Sequence, residues 1–424
     1  MTKHTNWGGN YTYRAARWHQ PHTVEDVQDV VRRSVQVRVL GTRHSFNGIA
    51  DTPEDLISLE HLNRVLALDE GQRTVTVEGG VRYGELCRYL DERGWALHNL
   101  ASLPHISVAG ACATGTHGSG NRSPGLASAV TAMNLVTAGG EMVTVSRDQH
   151  GASFEGMVVG LGALGVVTSL TLKVEPTYLV RQDVYEHLPL VQFTQHFDQM
   201  TGSAESVSFF TDWREPHFQQ VWLKRRVSPQ DAFQPDAEWF GATLAQRDLH
   251  PIHHLSAAPC TKQLGLPGPW FDRLPHFRLE HTPSNGQEVQ SEYILPRAHA
   301  PAAVHALYAL RERLAPMLLI SEVRTISADG LWLSPCYHQD SVSVHFTWHP
   351  DERAVRALLP GIEEVLAPFR ARPHWGKIFT LPPARLEELY PRLPDFRCLV
   401  TTWDPGGKFR NGFLDAHVFG STCK

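Results

Sequence analysis

The chain has little of what would mark it as a membrane, nucleic-acid or metal protein. No run of about 20 apolar residues occurs, which argues against a spanning helix. No long Lys/Arg tract occurs either, and the formal charge of −5 over 424 residues leaves no excess of basic side chains for a polyanion, so no nucleic-acid partner is expected. The six cysteines, Cys87, Cys112, Cys260, Cys336, Cys398 and Cys423, are scattered without Cys-x-x-Cys spacing, as reduced thiols would be and a disulfide frame or zinc site would not. Despite 24 histidines there is no His-Glu-x-x-His, and the adjacent pair His253-His254 sits in a Pro-rich stretch, so no metal centre is expected. Met1 to Trp7 lacks the apolar core of a secretory signal, and a soluble, cytoplasmic protein is the expectation.

What is present begins at Val39-Leu40-Gly41-Thr42-Arg43-His44-Ser45-Phe46-Asn47. An alternating run from Ser34 to Val39 predicts a strand that stops at Gly41 and feeds a loop of backbone N–H groups, hydroxyls and one guanidinium, a combination suited to a pyrophosphate. The loop carries neither the Gly-x-Gly-x-x-Gly of a dinucleotide-binding turn nor the Gly-Lys-Ser/Thr of a P-loop. A second segment, His98 to Gly120, is nearly all small residues in its second half; it suits close approach of backbone to a flat ligand, or equally a tightly packed short helix and loop.

Hydrophobic periodicity then orders the chain. Thr23 with Asp26 opens a helix whose Val24, Val27, Val30 and Val31 share a face. Strands are predicted at Leu56–Leu59, Thr74–Glu78 and Val166–Val174, helices at 82–93 and 154–161, and a hairpin of Val130–Val136 with Met142–Val145 around Gly139-Gly140. Irregular alternation of strands and helices fits α+β better than a doubly wound sheet. From Tyr178 to about Trp375 the composition shifts to longer strands, aromatics and charge, with a loop-rich middle from Ser228 to Phe271, a helix around Ala302–Leu314 and strands at Leu318–Ser327 and Ser341–Trp348. The shift suggests a second domain over 178–375 after a first over 1–177.

Two of these strands and one lysine carry polar chemistry. Period-two alternation places Ser341, Ser343, His345 and Thr347 on one face of their strand, and Glu322 and Arg324 on one face of theirs. Lys377 follows Gly376, where backbone can approach a ring closely. Each pattern alone is equally that of a wetted sheet face, a solvated charge pair or a surface lysine.

The loop Gly41 to Asn47, the runs Ala101 to Gly110 and Ala113 to Gly118, and Leu161-Gly162-Ala163-Leu164-Gly165-Val166-Val167-Thr168 occur in an order that resembles the vanillyl-alcohol oxidase/p-cresol methylhydroxylase (VAO/PCMH) flavoproteins, and among them the alditol (xylitol) oxidases. The resemblance spans nearly the whole chain. It implies a VAO/PCMH-type FAD-binding domain over 1–177, to which 376–424 returns, with an antiparallel-sheet substrate-binding cap over 178–375, and a monomer that oxidises terminal alcohols of polyols with dioxygen and releases hydrogen peroxide. It further implies FAD held by Leu40, Gly41, Thr42, Arg43, His44, Ser45, Ser102, Ser107, Gly110, Thr114, Gly115, Thr116, His117 and Val167, with His44 as the covalent attachment point. Ser102, Glu322, Arg324, His345, Thr347 and Lys377 would line the polyol pocket, and Arg324, Lys377, His345 and Glu322 would act in catalysis. An aldonolactone oxidase or dehydrogenase of the L-gulono-1,4-lactone type is the alternative, and transfer of electrons to a dye or cytochrome, or flavin binding without turnover, stay open. Arg43 departs from the glycine expected at its position in alditol oxidases.

Overall fold

In the computed structural model the described residues are 4–228, 230 and 233–420. Cys423 and residues 229, 231 and 232 of the loop-rich stretch lie outside them. The helix Val24–Arg33 opens with a reciprocal cap: Asp26 N–H donates to Thr23 Oγ1 (3.1 Å) and Thr23 N–H to the Asp26 carboxylate (3.0 Å). Its Val27, Val30 and Val31 bury against Val37 and Ile57. The following strand starts at Val37 rather than Ser34, because Ser34 caps the helix through bonds from its N–H and hydroxyl to Val30 O, while Val35 stands 84% exposed. Val37–Leu40 lies parallel to Asp55–Ser58, which also pairs with Arg17–His19.

A five-stranded antiparallel sheet stands beside this one, in the order Val65–Asp69, Thr74–Glu78, Val166–Lys173, Val130–Val136, Met142–Ser146. The expected hairpin and the strands expected at Thr74–Glu78 and Val166–Val174 are in it, while the one expected at Leu56–Leu59 is Asp55–Ser58 of the parallel sheet. The helix foreseen over 154–161 is Ala152–Val158; it stops early because Val159 leaves helical geometry (φ −87°, ψ 62°), after which Leu161 turns left-handed (φ 50°) and donates its N–H to Ala113 O. Only Val108–Ala113 of the small-residue segment is helical.

A large antiparallel sheet occupies the second half, with ten strands among the described residues. Four neighbours carry the functional side chains: Ser206–Thr211, Leu318–Ile326, Ser341–Trp348 and Val289–Pro296. The face bearing Val344, Phe346 and Trp348 is buried in the main core with Val304, Leu307, Leu359 and Ile362 from the helices Ala300–Ala309 and Glu352–Leu366. The helix foreseen over 302–314 is broken at Leu310 (φ −88°, ψ 2°) into Ala300–Ala309 and Arg311–Leu314. The polar face of Ser341–Trp348 is not a wetted one: every residue of the strand is buried, so its hydroxyls and imidazole face an interior cavity or other protein.

The chain beyond Trp375 closes back on the first half. Phe46 N–H donates to Gly376 O (2.8 Å), and the Asn47 amide bonds Trp375 O and Lys377 O (2.8 Å each). The Asn411 amide bonds Gly48 O and Asp51 O, and Val37 N–H bonds Lys408 O. These bonds place Lys377 opposite the loop that carries His44.

Candidate active site

One deep cavity, about 250 Å³ in volume, runs between the His44 loop, the small-residue segment and the large sheet. Its first end is a cradle of backbone. No acceptor among the described residues takes a hydrogen bond from the N–H groups of Thr42, Arg43, His44 or Ser45. A Cβ built on Gly41 would lie 2.6 Å from Ser107 Oγ, and one on Gly110 2.9 Å from the same atom, so both glycines let backbone form the wall directly. Buried Arg38 stiffens the cradle from behind by donating to the carbonyls of Ile49, Leu161, Gly162 and Phe409.

His44 sits over this cradle with the Trp7 ring centroid 5.3 Å away, and its Nδ1 is buried without a partner. Burial, the His105 ring and the Arg82 and Arg43 cations push its pKa down to about 3, which keeps the imidazole neutral with a free lone pair. Arg43 holds the turn at φ 64°, a left-handed conformation that costs a non-glycine residue about 1 kcal/mol. His117 Nδ1–H donates to Gly118 O (2.9 Å), and its buried Nε2 faces Glu292 Oε1 at 3.2 Å. Free N–H donors, glycine walls and the unpartnered Nδ1 of His44 fit a large flat cofactor with a diphosphate.

The far wall is the sheet. Register sets its side chains in rows: Glu292, His345 and Glu322 face one another across three strands, and one step along are Gln290, Thr347 and Ile320. Arg324 stands in the adjacent row, its Nη1 donating to Ser102 Oγ (3.1 Å) and its Nη2 to Glu292 Oε1 (2.8 Å). Lys377 Nζ donates to Glu292 Oε2 (2.7 Å). Two cations and two carboxylates, Glu292 and Glu322, therefore share one buried site. Burial pushes the Glu292 carboxyl up, but Lys377, His117 and Arg324 outweigh it and hold the group well below the usual range. Burial opposes ionisation of Glu322 in the same way, and Arg324 and His276 overcome it.

His345 is neutral too, since burial and Lys377 hold it well below an ordinary histidine. The Gln290 amide donates to the Glu288 carboxylate, which turns its Oε1 toward His345 Nε2 (3.1 Å). The Nε2 of His345 consequently carries the hydrogen, and Nδ1 is left as a lone-pair acceptor.

All of Ser102, Glu322, Arg324, His345, Thr347 and Lys377 line this cavity, as do the residues assigned to the cofactor from sequence, with one exception. Gly115 is set back from it. At φ 69° with Pro335 packed where its side chain would be, it serves the turn. Of the alternating polar face, only His345 and Thr347 reach the cavity; Ser341 is spent on Gln339 O. Sequence reasoning missed Glu292, Gln290, His276 and His374. For the first two the period-two run Gln290, Glu292 was the available signal.

A backbone cradle for a diphosphate and flat ring, facing a buried wall of paired charges on an antiparallel sheet, defines an FAD-dependent oxidoreductase of the VAO/PCMH type. Residues 15–146 match the family model for an FAD binding domain, and 282–417 match the model for D-arabinono-1,4-lactone oxidase. The chain is 50% identical over 413 residues, 97% of each chain, to an alditol oxidase from Streptomyces sp., and it belongs to the alditol oxidase family. More distant are the L-gulono-1,4-lactone dehydrogenase of Mycobacterium tuberculosis (29%, covering 96% and 97%) and the L-gulonolactone oxidase of Scyliorhinus torazame (26%, covering 98% of each). The fold matches that of the cholesterol oxidase from B. sterolicum with a TM-score of 0.79 over 98% of this chain and 96% of that one, at 14% identity. Among the described residues no helix is long and apolar enough to cross a membrane.

Proposed function

We propose that this protein oxidises the terminal primary alcohol of an alditol such as xylitol or sorbitol to the aldose, with dioxygen reduced to hydrogen peroxide. The observation that carries the reading is the wall itself. A polyol hydroxyl is donor and acceptor at once, and carboxylate, guanidinium, imidazole, hydroxyl and ammonium meet in one buried patch able to satisfy several in a row. Residues 1–177 and 376–424 would hold the flavin and 178–375 would cover it, a division supported by the FAD-binding match and by the bonds from Gly376 and Asn411 to the first half.

The redox chemistry, acceptance of a hydride from carbon and reoxidation by dioxygen, is what FAD supplies when bound. The protein's share is proton handling and orientation. Arg324 and Lys377 lower the alcohol's pKa by stabilising the developing alkoxide. His345 Nδ1, the free lone pair of a locked tautomer, takes the hydroxyl proton. Glu322 and Thr347 hold the next hydroxyls. Oxygen-electrode traces with a polyol panel test the whole: peroxide released with xylitol or sorbitol supports the reading, reduction of a dye without peroxide makes the protein a dehydrogenase, and turnover restricted to aldonolactones overturns it.

Two further outcomes follow. Because the pKa of His345 is depressed well below 6.5, its base form persists as pH falls through 6.5 and is lost only below the depressed value. The kcat profile is therefore expected to stay flat between pH 8 and 6 on this account, and an acid limb centred near that of a free imidazole, about 6.5, would remove His345 as the base. The His44 ring is neutral and lines the cradle with its Nδ1 buried and unpartnered, which supports a covalent bond to the flavin. Acid precipitation of wild type should leave the yellow colour in the pellet, and His44→Ala should release it to the supernatant; colour retained in the His44→Ala pellet would show another attachment residue.

A further inference from the structure

A buried lysine outside the cavity closes a chain of contacts onto the polyol wall. Lys224, on the strand His217–Val227, is wholly enclosed. Its Nζ lies 2.6 Å from Leu274 O, 3.1 Å from Pro275 O and 3.0 Å from His276 Nδ1. Glu322 is an ionised carboxylate and can only accept, so the neutral His276 ring presents a bare lone pair at Nδ1, to which Lys224 Nζ donates beside the two carbonyls. The hydrogen of the ring is then on Nε2, which points at Glu322 Oε1 at 2.8 Å and donates to it. The His276 ring has no freedom to turn away, since Phe210 and Trp222 meet it edge-on at 5.5 and 5.1 Å. Its backbone N–H donates to Ser102 O (3.0 Å), which ties the same segment to the other side of the substrate pocket.

We propose that Lys224 and His276 are positioning residues for polyol binding: Lys224 holds His276 as the Nε2–H tautomer, and His276 fixes the Glu322 carboxylate in the orientation that receives a substrate hydroxyl. The inference rests on the alditol reading given above. Without Lys224 the imidazole can carry its hydrogen on Nδ1, and a lone pair then faces the carboxylate and turns it aside. A hydroxyl held by Glu322 away from the reacting carbon is bound equally in the ground and transition states, so the loss falls on KM and spares kcat.

The side-chain amide of glutamine reaches the Nε2 position and can donate there, whereas asparagine reaches only the Nδ1 position. His276→Gln is expected to keep KM for xylitol within about 3-fold of wild type, and His276→Asn to raise it about 10-fold or more with kcat and flavin content little changed. Lys224→Met is expected to raise KM alone but to add nothing in the His276→Gln background. Equal KM for the two His276 variants, or an additive effect of Lys224→Met, overturns the proposal. In protein labelled with 15N-histidine, the resonances lost in His276→Gln should show a protonated Nε2 and a bare Nδ1; a protonated Nδ1 overturns it as well. The tautomer is read without substrate, so a wild type inactive on every alditol refutes the functional reading and leaves this measurement standing.

Discussion

Glu292→Gln is expected to lower kcat/KM for xylitol by about 100-fold or more, the largest loss from any change that removes no atom. Among the described residues Glu292 is the single group that touches both cations of the site, Arg324 through Oε1 and Lys377 through Oε2. An amide in its place carries no charge and turns an N–H₂ donor against one of two donors. Removing one partner from a buried ion cluster costs about 3–5 kcal/mol, so the variant should also melt earlier. The lysine responds in a definite direction. Burial and Arg324 already lower the Lys377 pKa and Glu292 raises it, so losing the carboxylate moves the alkaline limb of the pH profile further down. Wild-type turnover in Glu292→Gln, with an unmoved alkaline limb, would show that Lys377 takes no part in polarising the alcohol.

Arg324→Ala comes second. Its guanidinium bridges Ser102 on the cofactor side and Glu292 on the sheet, and lies 3.5 Å from Glu322. Loss of a transition-state donor in a dry site costs about 10²–10³ in kcat, and here two carboxylates are also left short of a cation. The flavin-to-protein ratio should hold, because none of the cradle's backbone donors depends on Arg324. Arg324→Lys should rescue little: an ammonium is one point charge and cannot hold Ser102 and Glu292 at once. A variant that loses its flavin in proportion to its activity would mark Arg324 as a cofactor ligand and not as an electrostatic catalyst.

The parts of this site that were legible in the sequence are those where local pattern and tertiary role coincide. Ser341–Trp348 alternates so regularly that both its limits and its two faces follow from period two alone. Thr23 with Asp26 announces a helix start by chemistry internal to four residues. Glu292 was harder to read: it shares period-two spacing with Gln290, but Val289–Pro296 is buried on both faces and mixes Gln, Ser, Glu and Tyr with aliphatics, which blurs the alternation. Lys224 stands beside Arg225 and Arg226 and looks like one of a solvated trio; its burial depends on a loop 50 residues away that folds over it. His276 lies in a Pro-rich stretch with no periodicity at all. The wall's tight register also explains why its members looked weak singly: Glu322, His345 and Glu292 are neighbours only through pairing across three strands, and strand order is not a local property.

That pairing has an evolutionary corollary. Inserting or deleting one residue within Val289–Pro296, Leu318–Ile326 or Ser341–Trp348 would exchange inward and outward side chains along the rest of the strand and pull every row apart. Descendants of this gene can alter their appetite for one sugar alcohol over another by swapping letters at Gln290, Ile320 or Thr347, whereas changes of length are tolerated only in the connecting turns. Natural variants and laboratory libraries alike should therefore show a frozen ruler in these three segments and free spelling at a few of its marks.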